Sequence, residues 1–255
     1  MSNEEQRMQL SAEWARVGGG FTVEPWSYPI DLEALVTRTV AAAPQDYRGL
    51  AVATTWIAQN SELVNVRRLG KLASRLEDLP SAILGAVIDI ACESRSHSDR
   101  LRAAQRFCRP LREPRALFDR TNRNPVLRRF AKESTLAVFE SWGLWQDELS
   151  LKFDALRPVS WIIEHCPELR LRALYGAGLE SEVVQVLQQG TATIAAIARE
   201  VDASYSATHA AVCRLEGRGS VESLDGHGVA LRAPVRQWIE TYPTVARTHR
   251  LALVS

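Results

Sequence analysis

The chain has no apolar run near the roughly 18 residues that a membrane-crossing helix needs. A membrane is therefore not an expected partner. Its four cysteines, Cys92, Cys108, Cys166 and Cys213, are scattered and include no CxxC pair. That excludes the cysteine pattern of a disulfide scaffold and predicts reduced thiols in a cytoplasmic protein. The five histidines do not cluster with them, so a structural metal site is not expected. The amino-terminal residues carry acids where a secretory signal needs bases and then an apolar stretch, so no targeting peptide is expected. Also missing are the GxxxxGK[ST] and GxGxxG phosphate loops, the HExxH zinc helix and the GxSxG nucleophile turn. No cofactor and no catalytic residue are expected. His165 and Cys166 are neighbours, but adjacent helical residues point about 100° apart, which is wrong for a base and its nucleophile. The carboxylates Glu62, Glu77 and Asp78 lie near arginines and read as surface pairs.

What is present is a normal globular composition. Hydrophobic residues make up 46% of the 255 and charged ones 24%, which supports a real core. The net charge of +1 is unevenly spread. Residues 95–133 hold twelve basic side chains against four acidic ones. That surplus of eight leaves a deficit of seven for the remainder. Eleven of the twelve are arginine, the better fit to phosphate and carboxylate forks. Arg109, Arg112, Arg115, Arg128 and Arg129 are candidate phosphate contacts. The competing reading is a solvated surface whose charges pair with acids elsewhere.

Helical spacing dominates the first two thirds. Residues 1–30 read as a flexible arm, broken by Gly18-Gly19-Gly20, Pro25 and Pro29, although Trp14, Trp26 and Tyr28 need something to pack on. Asp31 can cap a helix over 32–43, followed by helices over 47–59 and 63–76. Residues 82–92 are apolar nearly all round and predict the central helix of a bundle. A helical signal covers 99–107. Three prolines and two asparagines between 110 and 125 predict an extended surface loop. Asn124 and Pro125 cap a helix over 126–142 with Phe130, Leu136, Val138 and Phe139 available for a core. Shorter helices are expected over 146–156, 159–165, 167–175 and 180–189. No strand is legible before residue 221.

The most informative stretch is 193–232. Ile194, Ile197, Ala198 and Val201 line one face of a helix over 194–201 that Thr193 can cap. Asp202 and Ala203 form an abrupt turn. Ser204 or Ser206 caps a second helix to about Arg218, with Thr208, Ala211, Val212 and Leu215 facing inward. Gly219 supplies the left-handed residue that ends it. Two strands, 221–224 and 229–232, flank Asp225-Gly226-His227-Gly228, and Asp-Gly is a strong hairpin signal.

That succession resembles the winged helix-turn-helix of bacterial transcriptional regulators, over about residues 169–231. The helical spacing and the resemblance together predict a mostly α protein, with a helical domain over 31–176, a winged helix-turn-helix with a two-stranded wing over 177–240, and a tail over 241–255. The resemblance implies double-stranded DNA as partner and action as a homodimer. In that family the second helix enters the major groove and the wing touches backbone or minor groove. The positions that match are Ser204, Tyr205, Ser206, His209, Ala210 and Cys213, with Arg214 and Arg218 reaching phosphates, His227 at the wing tip and Arg232 at its base. The helix departs from the pattern in lacking Arg, Lys, Asn and Gln in its first two turns, the usual bidentate base readers. Thr208 stands where an aliphatic residue is usual, and Glu222 and Asp225 place repelling charge on the wing. A second resemblance, carried by residues 167–176 (PELRLRALYG), is to the lead-in of bacterial regulators with helical amino-terminal domains. Some of these are similar to antitoxin partners of nucleotidyltransferase toxins. It implies an alternative role as an antitoxin or adaptor that grips a partner protein.

Overall fold

A computed structural model describes residues 2–224 and 228–241, and these are mostly helical. The contacts divide the chain into two compact units, Met1–Ile162 and Ile163–Ser255.

The first unit opens with a helix where a flexible arm was expected. α1 (Asn3–Arg16) starts with a capping box: the Ser2 hydroxyl accepts from the Glu5 amide while the Glu5 carboxylate accepts from the Ser2 amide. Tertiary contact explains why this segment orders. Trp14 is fully buried, donates from its indole to the Thr39 hydroxyl at 2.8 Å, and packs 5.9 Å from the Trp56 ring. The nearly buried Glu13 carboxylate takes both arms of the Arg38 guanidinium. Residues 18–30 hold no helix or strand, as the glycines and prolines predict.

Next come α2 (Leu32–Ala42), capped by Asp31, α3 (Tyr47–Asn60), capped by Asp46, α4 (Val66–Ala73) and α5 (Asp78–Ser94). α5 packs on both α2 and α3, with Ile83, Leu84 and Ile88 fully buried. Pro80 sits in its first turn, where a missing amide hydrogen costs nothing. The expected helix over 63–76 is shorter because Asn65 interrupts it. Its amide donates to the buried Glu33 carboxylate at 2.7 Å, and its side chain accepts from Arg68 to start α4.

The rest of this unit departs most from expectation. The signal over 99–107 resolves into a 3-10 turn, Ser96–Leu101, and a short α6 (Arg102–Gln105). The expected surface loop over 110–125 instead buries Ala116 and Leu117 completely. It forms β1 (Arg115–Ala116), which pairs in parallel with β2 (Leu144–Trp145), and then α7 (Asp119–Arg123). The expected helix over 126–142 splits into α8 (Pro125–Glu133) and α9 (Ala137–Glu140), because the Leu136 amide donates across the chain to the Gln146 carbonyl rather than back along a helix. Phe139 is buried as expected, but Phe130 is 61% and Leu136 47% exposed, so neither belongs to the core. Between 146 and 156 only Phe153–Ala155 turns, as a 3-10 helix. The Ser150 and Lys152 amides are held instead by Tyr47 and Thr55 of α3. α10 (Val159–His165) contains the point of division.

The second unit comprises α11 (Pro167–Tyr175), α12 (Leu179–Leu187), β3 (Ala192–Thr193), α13 (Ile194–Glu200), α14 (Tyr205–Gly217), β4 (Val221–Leu224), β5 (Gly228–Leu231) and α15 (Ala233–Thr241). It begins before residue 177 because Leu171 of α11 shares a core with Val183, Val184 and Leu187 of α12. The strands form an antiparallel sheet in the order β3-β5-β4, with Ala192 opposite Val229 and Val221 opposite Leu231. β1, β2 and β3 correct the expectation of no strand before residue 221. Each is two residues long, too short for an alternation to register. Among the described residues no helix is long and apolar enough to cross a membrane.

Candidate nucleic-acid interface

α13 and α14 are set by their caps and the turn between them. The Thr193 hydroxyl accepts from the Ala196 amide and the Ser204 hydroxyl from the Ala207 amide, each at 3.2 Å. Asp202 takes a left-handed φ of 48°, and the Ala203 amide returns to the Ala198 carbonyl at 2.9 Å. The reversal is thus closed within four residues. Behind it Ile197, Ala211 and Leu215 are fully buried. Thr208 is fully buried too, and its hydroxyl donates to the Ser204 carbonyl at 3.0 Å. That bond satisfies the polar group that replaces an aliphatic residue there. Gly219 ends the helix with φ 72°, as expected.

The opposite face of α14 is open. Ser204, Tyr205, Ser206, His209, Ala210 and Cys213 are all exposed, Tyr205 by 58%. Tyr205, His209 and Cys213 follow one another at i, i+4 and i+8 and form one row. The Tyr205 and His209 rings stack with centroids 6.2 Å apart, and His209 Nδ1 lies 3.7 Å from Cys213 Sγ. The hydroxyls of Ser204 and Ser206 meet at 3.2 Å. The row therefore combines donors, acceptors and a flat aromatic surface on one exposed face.

Arg214 and Arg218, the expected phosphate contacts on this helix, are exposed and paired. Both donate to the Glu180 carboxylate of α12, Arg214 Nε to Oε1 at 2.6 Å and Arg218 Nη1 to Oε2 at 2.5 Å. One acid thus clamps both cations against α12. Sequence spacing did not signal this, because Glu180 lies 34 residues upstream of Arg214. Arg232 is exposed at the base of the hairpin, where its amide donates to the Ser220 carbonyl. Asp225, Gly226 and His227 lie outside the described residues.

The arginine-rich stretch belongs to the first unit and is partly consumed by local partners. Arg109 donates to the Leu76 carbonyl and sits 3.7 Å from Asp78. Arg115 lies 3.5 Å from Asp119, and Arg129 donates to Glu133 at 2.9 Å. Arg112 and Arg128 are exposed and form no ion pair among the described residues. Of the thiols, Cys92 and Cys166 are buried and Cys213 is exposed. Burial pushes the Cys108 thiol up to about 12 and raises that of Cys92. Neither is a thiolate at neutral pH.

Comparison with protein-family models, with curated proteins and with solved structures finds no match.

Proposed function

We propose that this protein is a DNA-binding transcriptional regulator that inserts α14 into the major groove and acts as a homodimer. The observation that carries the reading is the open amino-terminal face of α14, set by a tight turn against α13 and backed by an apolar core. The order of helix α12, strand β3, helices α13 and α14 and hairpin β4–β5 supports a winged helix-turn-helix, as does the pairing of β3 with β5. Ser204, Tyr205, Ser206 and His209 offer hydrogen bonds to base edges or phosphates. With so few base readers on one helix, two copies on half-sites about 34 Å apart, or a multiple of that, supply the missing affinity. The test is selection of bound fragments from the native genome by purified protein at two salt concentrations. An enriched motif with two-fold symmetry supports the reading; uniform recovery overturns it. Light scattering at the mass of a single chain, with and without DNA, overturns the dimer.

A second reading, a module that grips a partner protein, is favoured by α8. Its Val126 is 75% and its Phe130 61% exposed, one turn apart on the same side. Exposed apolar pairs of this kind mark contact surfaces when they are contiguous with other apolar groups. Changing Val126 and Phe130 to Ser abolishes partner capture and leaves DNA selection unchanged if this role is separate.

A further inference from the structure

We propose that a cleft in the first unit, between the start of α3 and α7, binds a nucleoside monophosphate. The cleft encloses about 580 Å³, within the roughly 300–1,000 Å³ of small-molecule sites. Pro44, in the 3-10 turn Ala43–Gln45, forms its apolar side together with Tyr47 of α3 and Phe118. The Tyr47 and Phe118 rings meet at 5.3 Å, tilted by 51°, yet Tyr47 stays 43% exposed. A flat ring can lie against this aromatic wall, as nucleic-acid bases do on exposed aromatic side chains. The wall exists because the segment over 110–125 folds back on the unit. With Leu117 fully buried, Phe118 is held beside Tyr47.

α7 supplies the complementary chemistry. Arg120 and Arg123 line the cleft and are exposed. Their guanidinium groups form no ion pair or hydrogen bond among the described residues. They stand at i and i+3, on one side of the helix. Thr121 adds a hydroxyl to the same lining. Asp119, the acid there, is already engaged: Arg115 lies 3.5 Å away and the Gln45 amide donates to it at 3.3 Å. The cleft therefore keeps a cationic surplus. Two unpaired guanidiniums match the oxygens of a phosphate dianion, each presenting a fork of N–H donors. A benzoate-like carboxylate would fill little of the volume and leave one guanidinium unmatched. The proposal rests on the first unit alone and stands whatever α14 binds.

The test is calorimetric titration of the full-length protein with AMP, GMP, CMP and UMP, and with adenosine and inorganic phosphate as the two halves of AMP. The expected result is one nucleotide per chain, for at least one of the four, held at least tenfold more tightly than inorganic phosphate or adenosine. The double variant Arg120→Gln, Arg123→Gln is expected to weaken that nucleotide at least tenfold. Both positions are exposed, so unchanged far-ultraviolet dichroism is expected. The comparison of ligands on the wild type decides the matter even without the variant. No binding of any of the four nucleotides, inorganic phosphate or adenosine binding as tightly as the nucleotide, or full nucleotide affinity in the double variant overturns the proposal.

Discussion

α14 and α8 begin alike and end in different surroundings. Each is opened by a short polar cap, Ser204 in one and Asn124 in the other, and each carries apolar residues at helical spacing. α14 buries Thr208, Ala211, Val212 and Leu215 beneath it. α8 buries only Ala131, while Val126 and Phe130 face outward. The difference lies in what receives the apolar side. α14 lies over α12 and α13 and beside β4, so its inward residues join a closed cluster with Val184, Ile197 and Val221. α8 rests on α7 and the two-residue strands β1 and β2, which offer little area. An apolar stripe therefore specifies a core only where another element supplies the matching surface.

Stability should separate the two helices most. Leu215→Ala is expected to cost about 2–5 kcal/mol of the second unit's stability, from lost burial plus the cavity left behind. Phe130→Ala is expected to stay within about 0.5 kcal/mol. Urea unfolding followed by far-ultraviolet dichroism checks both, and equal losses would erase the contrast. Gly85→Ala extends the contrast to α5. A Cβ there would come within 2.4 Å of the Trp142 ring, which is anchored by its indole donating to Asp89 at 2.7 Å. Overpacking of about 1–3 kcal/mol is expected in the same assay.

The outward face of α14 should read out in binding instead. Under the proposed function, the double change of Tyr205 and His209 to Ala weakens specific DNA binding by about 1–3 kcal/mol with an unchanged melting temperature. Early melting would place these residues in the core. Glu180→Gln releases Arg214 and Arg218 for phosphates. The slope of log K against log salt then steepens by up to about 2, at about 0.9 per contact. An unchanged slope would mean that the two arginines do not reach the backbone.

The smallest effect concerns the thiols. At pH 8 Cys213 is expected to react first with iodoacetamide, while Cys92, Cys108 and Cys166 wait for unfolding. The Cys108 thiol, held at about 12 against an ordinary 9.0, keeps its proton when the unfolded chain has already lost one. Its contribution to stability is therefore complete below pH 9 and falls away between about pH 9 and 12. Labelling of folded Cys108 at pH 8 as fast as Cys213 would contradict its half-buried position and raised pKa.

The caps and turns of the second unit were legible because the signals are local. A serine hydroxyl reaches an amide three residues on, and a left-handed glycine ends a helix whatever surrounds it. The inward face of α14 was legible for a related reason: four positions at helical spacing lie on the side that α12 and α13 cover. In the first unit the same rules located α2, α3 and α5, whose apolar character exceeds that of the intervening segments. Between 96 and 156 they located the Asn124 cap of α8 and the burial of Phe139 but little else. There a parallel strand pair, the Leu136 amide bonded to Gln146 and two amides held by α3 depend on groups distant in the chain. They failed at α1, whose order rests on Trp14 meeting Trp56 and Thr39.

For the α14 face, sequence determined which side chains are present and that they share one side of a helix, since helical geometry sets the direction of each residue from its number. Tertiary structure decided which of its charges are available. Arg214 and Arg218 are engaged by Glu180 because folding brings α12 alongside α14, and a carboxylate at 2.5–2.6 Å outcompetes water for a guanidinium. Tertiary structure likewise left Phe130 in solvent and buried Leu117. Burial depends on a matching surface, and that surface comes from residues far away along the chain.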